Sequence, residues 1–435
     1  MATDPTPETD QAESSPRPVP TASPAPSRRI TSIAAFRYAD FRYYWASRFI
    51  TSVAVQMQVV AIGWQVYELT HDPLMLGFVG LAEFLPSLLL ALVTGAASDR
   101  FDRRMILTIC YTVETLCATA FFLMTWYGLV QVWPVFAVLV TLGIARAFSQ
   151  PAQSALMPNL VPREHFGNAV AWSSLAWQIA SIGGPALGGA VLALFDTDIV
   201  FITAAVAIAA STVMMACVHA HAAGGDREPV TLKSLLGGFI FMREKPIILG
   251  AISLDLAAVL LGGAVSLLPV YASDILKVGP EGLGMLRAAP GVGAFVVAFF
   301  LTQYPIRRNL GHVMFACVML WGVCITIFGF STVFWVSLIA LGISGAADMV
   351  SVFIRQNIVQ IGTPDVMRGR VSAVNSIFIG ASNELGAFRA GVMGSAFGAV
   401  GAVLVGGIAT IVVTAIGMKV FGDLRKLDKS EDAAA

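Results

Sequence analysis

Gly95-Ala96-Ala97-Ser98-Asp99-Arg100-Phe101-Asp102-Arg103-Arg104 puts five charges into six residues between two long apolar runs. A bilayer core of roughly 30 Å is crossed by about 20 apolar residues of helix, so a charge cluster this dense belongs at the aqueous edge. The stretch is short, which predicts a loop joining two antiparallel neighbouring spans. The rest of the composition agrees. Of 435 residues, 57% are apolar and 12% charged, and the mean hydropathy is +0.76, outside the range of soluble domains. The chain reads as an all-α, multi-pass membrane protein.

Working outward, the first span is expected to run to about Leu69, after an aromatic and basic segment from Ile30 to Arg48 that suits the membrane interface. Further apolar runs follow at about 73–98, 104–129, 133–157, 166–195 and 198–219. A polar interruption from Ala220 to Lys245 is followed by runs at about 246–272, 281–304, 311–330, 333–357, 369–396 and 398–421. This gives two six-helix halves, 30–219 and 246–421, a linker at 220–245, and tails at 1–29 and 422–435. The first tail, rich in Pro, Ser, Thr and Ala, has the composition of a disordered segment and lacks the apolar stretch of a secretory signal.

The halves repeat one another. An offset of 207 residues lays Cys110 on Cys317, Cys117 on Cys324, Gly77 on Gly284 and Phe121 on Phe328. Later in each half the offset becomes 201, pairing Glu164 with Asp365 and Ala186 with Ala387. Two matched halves joined by a linker are the plan of a transporter built from repeats. Lys and Arg fix an orientation. Arg100, Arg103, Arg104, Arg163, Arg308, Arg368 and Arg370 fall on one side and Lys277 alone on the other, so both termini and the linker are expected in the cytoplasm.

Several function classes are disfavoured. The net charge is zero, which gives no electrostatic argument for nucleic acid. No GxxxxGK[ST] loop, HExxH pair or GxSxG elbow occurs, so neither ATP hydrolysis nor membrane-embedded enzymology is expected. The five cysteines lack paired spacing and read as packing residues; His219 and His221 read as an interfacial polar pair; no metal or cofactor is expected.

Charges inside the spans are where work can be done, because an ionisable group at mid-membrane costs from about 2.5 to more than 10 kcal/mol. They are Glu83, Glu114, Arg146, Asp255, Arg287, Asp348, Arg355, Glu384 and Arg389. One reading is structural: the groups pair and hold helices in register. The other is functional: one or more acids change protonation as the protein moves. Glu83, Asp255, Asp348 and Glu384 are the candidate proton carriers or substrate contacts, with Arg146, Arg287, Arg355 and Arg389 tuning them. Asp348 and Arg355, seven apart, predict a polar stripe on one helix face.

The pattern Gly95, Asp99-Arg100, Arg103-Arg104 resembles the loop between spans 2 and 3 of major facilitator superfamily transporters. In that family the loop latches span 2 to the start of span 11. Asp102 stands here where the family has a second Gly, and the second-half copy around Arg307-Arg308-Asn309 lacks the acid. Ser181-Ile-Gly183-Gly184-Pro185-Ala-Leu-Gly188-Gly189 resembles the Gly-Pro-x-x-Gly-Gly signature of the family's exporters, and Arg146 resembles an arginine the family links to proton coupling. The stretches 286–293, 348–355 and 368–386 are similar to the branch that contains the enterobactin exporter.

The resemblance implies a twelve-helix exporter of a small, amphipathic, siderophore-like or drug-like molecule. It implies alternating access driven by proton antiport in a bacterial inner membrane, with the substrate, protons and the lipid bilayer as partners and the monomer as working unit. A uniporter or a lysophospholipid flippase of the same fold is the alternative. A central, largely apolar cavity lined by aromatic and Met side chains is expected between the halves.

Overall fold

Two residues suffice to turn the chain at its charge cluster. In the computed structural model, which describes residues 33–219 and 232–429 except 305 and 307, span 2 is helical from Pro73 to Arg100 and span 3 starts at Arg103. The side chains of 92, 96, 99, 232–235, 365 and 366 lie outside that description. Gly95 to Arg100 is therefore the last helical turns of span 2 and not a loop. Asp102 makes the economy possible: its Oδ1 accepts from the Arg104 amide at 2.9 Å, capping span 3 at its first turn.

Spans 1 to 6 are Ala39–Thr70, Pro73–Arg100, Arg103–Trp126, Val132–Leu156, Phe166–Leu194 and Thr197–Ala216. The interfacial segment expected up to Arg48 shrinks to a single 3-10 turn, Ala34–Arg37, because the helix of span 1 already begins at Ala39. Arg42 and Arg48 ride on it. Its first turn is held by Asp40, whose Oδ1 accepts from the His219 amide at 2.9 Å and lies 3.7 Å from His219 Nδ1. His219 thus secures the end of span 6, while His221, the tail 1–29 and the linker centre lie outside the described residues.

The linker resumes as a helix, Leu232–Glu244, where only polar chain was expected. Span 7 is broken: Pro246–Gly262 stops at Gly262-Gly263, and the chain continues through a 3-10 turn, Val265–Leu267, to a π-turn, Tyr271–Ile275. Spans 8 to 10 are Gly279–Gln303, Leu310–Phe330 and Phe334–Ile361. Among the described residues 11 helices are long and apolar enough to cross a membrane, and the last is two spans in one. Within Asp365–Val420, Gly398 takes φ 77°, a left-handed backbone suited to Gly, and bends the rod into span 11 (365–397) and span 12 (399–420). Twelve spans in two bundles result.

The apolar core shows how the bundles meet. One buried cluster runs across both, joining Val60, Tyr67, Leu139 and Leu192 of the first half to Leu267, Tyr271, Leu283 and Leu341 of the second. It lies toward the end opposite the basic turns. Toward the basic end each half has its own separate core: Tyr44, Leu107, Tyr111 and Leu156 in one, Ile248, Phe315, Ile354 and Leu424 in the other. The halves are therefore fused at one end and divided at the other.

Candidate functional site

The division leaves a central cavity of about 1190 Å³ between the halves. Its wall runs from Arg48, Ser154, Met157 and Val170 near the basic end to Gly63, Leu76, Pro269 and Leu341 beneath the shared core. Two close crossings help seal that far end. A β-carbon added at Gly189 of span 5 would lie 2.7 Å from Gly284 Cα of span 8, and one added at Gly391 of span 11 would lie 2.9 Å from Gly77 Cα of span 2. Only glycine allows such backbone approach. Across the same end Tyr67 Oη donates to Asp274 Oδ2, span 1 to span 7.

The exporter-like stretch of span 5 is one of these junctions. A β-carbon at Gly184 would meet Gln56 Cβ at 2.5 Å and one at Gly188 would meet Met57 Cα at 2.9 Å, both on span 1; the Pro185 carbonyl faces Gly284. Gly184, Pro185, Gly188 and Gly189 thus tie span 5 both to its own half and to the other.

Five of the eight singled-out charges are brought to the cavity: Glu83, Arg146, Arg287, Asp348 and Glu384. Arg146 Nη1 pairs with Glu83 Oε1, span 4 with span 2. Glu384 reaches over from span 11 until its carboxylate packs on Gly80 of span 2, within electrostatic reach of both Arg146 and Arg287. The order Glu83, Arg146, Glu384, Arg287 is an alternating string of acid and base that crosses from one half to the other. Asp348 is exposed on the cavity wall.

The other three are elsewhere. Arg355 is 4% and Asp255 8% exposed, and Arg355 Nη1 pairs with Asp255 Oδ2 between spans 10 and 7. The expected stripe of Asp348 with Arg355 does not form, because Arg355 turns to Asp255 while Asp348 faces the cavity. Among the described residues Arg389 is in none of the ion pairs. Its Nε donates to the Leu260 carbonyl at 2.9 Å and its Nη1 to Met393 Sδ at 3.0 Å, satisfying a carbonyl near the break in span 7.

The cavity wall is apolar over the greater part of its surface, as expected, but it is not Met-rich and it carries a band of uncharged polar groups. Ser52, Gln56, Ser149, Gln150, Gln153, Ser174 and Gln178 face it, with Trp177 and Trp321 supplying rings and Met157 a thioether. Uncharged polar side chains are tolerated in a span where they meet a water-filled space. Glu114 lines the cavity as well; its charge within an apolar run was its signal in the sequence.

At the basic end the arginines of the charge cluster cap helices. Arg103, 5% exposed, donates from Nε to the Ser98 carbonyl at 3.2 Å and from Nη1 to the Ala155 carbonyl at 3.1 Å. Arg104 donates to the Ala216 carbonyl. These carbonyls end spans 2, 4 and 6, where unpaired acceptors and the negative helix pole favour a cation. Arg103 and Arg104 therefore bind their own half and not span 11. Arg100 is exposed, no neighbouring element among the described residues comes within 4 Å of a β-carbon placed on Gly95, and the Asp99 side chain lies outside the described residues.

A family model described as transmembrane secretion effector matches residues 30–435. The chain belongs to this family of major facilitator transporters. It is similar to the enterobactin exporter EntS of Citrobacter koseri, 25% identical over 394 residues that cover 89% of this chain and 92% of the relative. The EntS of Shigella dysenteriae serotype 1 is 24% identical over 399 residues, 88% and 92% of the two chains. Among solved structures, a bacterial homologue of the iron transporter ferroportin in an inward-facing state superposes with TM-score 0.66 at 16% identity, covering 88% of this chain and 98% of that one. A bacterial homologue of the human lysosomal transporter Spinster gives 0.65 at 13% identity, covering 91% and 96%. This family member is a multi-pass membrane transporter and not an enzyme.

Proposed function

We propose that the chain exports a small amphipathic molecule of the siderophore type across the bacterial inner membrane, by alternating access coupled to proton antiport. The observation that carries this is the cavity, open between separate cores at one end and sealed by a shared core at the other. With the basic turns in the cytoplasm, this is the inward-open state, the one that receives cargo for export. The enterobactin exporters, whose length the chain nearly spans, support a siderophore as cargo.

The charge string gives the cycle its coupling. Glu384 is the link between halves, because it belongs to span 11 yet rests on span 2 beside the Glu83 and Arg146 pair. A proton taken up by an acid of the cavity wall changes the field around Glu384 and its two arginines, which loosens the contact between halves and leaves the Arg287 guanidinium for cargo oxygens while Arg146 keeps Glu83. Asp348 and the glutamines meet the cargo directly. When the halves rock, the turn at Gly95, Asp99, Arg100, Arg103 and Arg104 approaches span 11 and latches the outward-open state. Arg103 and Arg104 exchange helix-end carbonyls for that contact, while Gly184, Pro185, Gly188 and Gly189 act as the pivot.

Everted membrane vesicles energised by respiration test the reading. They are expected to accumulate radiolabelled enterobactin, and to lose it when nigericin collapses the pH gradient. Uptake that ignores the gradient sinks proton antiport, and transfer of lysophospholipid in place of enterobactin makes the protein a flippase.

A further inference from the structure

Glu114 stands apart from the other acids of the membrane region. It is 2% exposed, lines the cavity, and its Oε2 is enclosed without a hydrogen-bond donor. The ion pairs among the described residues are Arg146 with Glu83, His219 with Asp40, Arg308 with Asp428 and Arg355 with Asp255; Glu114 is in none of them. An isolated carboxylate in such a wall is costly. A proton added to Glu83 or Asp255 would have to strand an arginine, and Glu384 serves two. Glu114 and Asp348 can take up and give up a proton without orphaning a cation, and of the two Asp348 is exposed on the cavity wall while Glu114 is enclosed.

A polar string leads to it. Tyr111 precedes Glu114 by one helical turn on the same face of span 3. Gln153 Nε2 donates to Tyr111 Oη at 3.3 Å, Tyr44 Oη donates to the Gln153 carbonyl at 3.1 Å, and Arg48 Nη1 reaches Tyr44 Oη at 3.5 Å. Tyr44 and Tyr111 are fully enclosed, while Arg48 lies on the cavity wall nearer the basic end. Polar groups therefore line the way from the open end of the cavity to the turn next to Glu114, and fix the wall around it.

Packing does not require the acid. The repeat offset of 207 residues that pairs Cys110 with Cys317 and Cys117 with Cys324 pairs Glu114 with Trp321, which also lines the cavity. The same wall position is filled by an indole in one half and by a carboxyl in the other. The ionisable groups around span 3 are Tyr44 and Arg48 on span 1, Glu83 on span 2, Arg146 on span 4 and Asp198 on span 6. Span 3 itself adds Cys110, Tyr111 and Cys117, with Arg103 and Arg104 at its first turn, bound to helix-end carbonyls.

We propose that Glu114 is the proton-binding group of the transport cycle, reached from the cavity that it lines. This rests on the antiport reading and names a residue for it. Glu384 then acts as the link between halves, and Glu114 holds the transported proton.

Infrared difference spectra of the purified protein in lipid, taken between acid and alkaline buffers, test the assignment without any cargo. A protonated-carboxyl stretching band is expected that Glu114→Gln removes, Glu114→Asp shifts, and Glu83→Gln and Asp348→Asn keep. A Glu114→Gln spectrum that retains every carboxyl band of the parent overturns the proposal. If the Gln variant does not fold, an unshifted band in Glu114→Asp overturns it equally. The vesicle experiment is independent: gradient-blind enterobactin uptake removes the antiport reading even where the band belongs to Glu114, and a band assigned elsewhere removes Glu114 even where uptake follows the gradient.

Discussion

Asp255 and Arg355 illustrate what a charge in the membrane requires. Their side chains are only 11% and 5% exposed, so each relies on the other for the interactions lost with water. Breaking such a pair leaves one charge uncompensated. Arg355→Ala is expected to cost about 3–5 kcal/mol, seen as a large fall in the thermal unfolding midpoint in detergent. The double variant Asp255→Leu with Arg355→Met is expected to recover most of it, since a buried pair is worth little against apolar packing of similar size. If the single and double variants melt alike, the pair is not the structural element described. The sequence revealed every one of these charges, because each interrupts an apolar run. It did not reveal partners: Arg355 lies seven residues from Asp348, a suggestive spacing, yet its acid is Asp255, which only the tertiary packing of span 10 on span 7 brings near.

Helix ends obey the same logic one level up. The first-half turn caps span 3 with its own Asp102, two residues before the amide it accepts from, and so is readable locally. The second-half turn has no acid of its own, and the one it uses comes from the chain's last described residues. Asp428 Oδ1 accepts from the Asn309 amide at 2.8 Å, and its Oδ2 lies 3.6 Å from Arg308 Nε. The Leu310 amide donates to the Asp428 carbonyl at 3.3 Å and the Gly311 amide to the Leu427 carbonyl at 3.0 Å. The segment after span 12 is thus docked, with a short helix, Gly422–Lys426, and Leu424 and Leu427 buried. Loss of a capping carboxylate costs about 0.5–2 kcal/mol, and Asp428→Ala is expected to speed hydrogen exchange at Asn309, Leu310 and Gly311 while leaving span 3 unchanged. Equal exchange in the variant and the parent contradicts the cap. A separation of 119 residues between donor and acceptor explains why no reading of the turn alone finds it. The break in span 7 was not anticipated, since 246–272 reads as one apolar run, although Gly262-Gly263 marks the place where the helix stops. The π-turn that follows was not legible either, since it depends on where Tyr271 packs against Phe328 at 4.4 Å between ring centres.

For the whole molecule, the repeat visible in the sequence becomes a symmetry axis with consequences. Tyr67 and Asp274 are 207 residues apart, the offset that relates the two halves, so each is the other's repeat mate. Two equivalent positions can touch only near the axis between the halves. Gly77 and Gly284, mates by the same offset, anchor the two flanking crossings, on Gly391 and Gly189 respectively. The sealed end is thus a near-symmetric closure with one polar contact at its centre, and the rocking motion proposed for transport has to break it. Tyr67→Phe keeps the ring and deletes only the donor. A hydrogen bond to a charged group contributes about 1.5–3 kcal/mol, so its loss is expected to raise the ratio of states open at this end by roughly tenfold to hundredfold. Spin labels on Leu69 of span 1 and Glu281 of span 8, measured by pulsed dipolar spectroscopy, report the change as growth of a longer-distance population in the Phe variant. Gly189→Val, which pushes the crossing apart by bulk, is expected to produce the same population by a different route. Distance distributions identical to the parent in both variants mean that this end does not open as the gate, and the cavity has to discharge some other way.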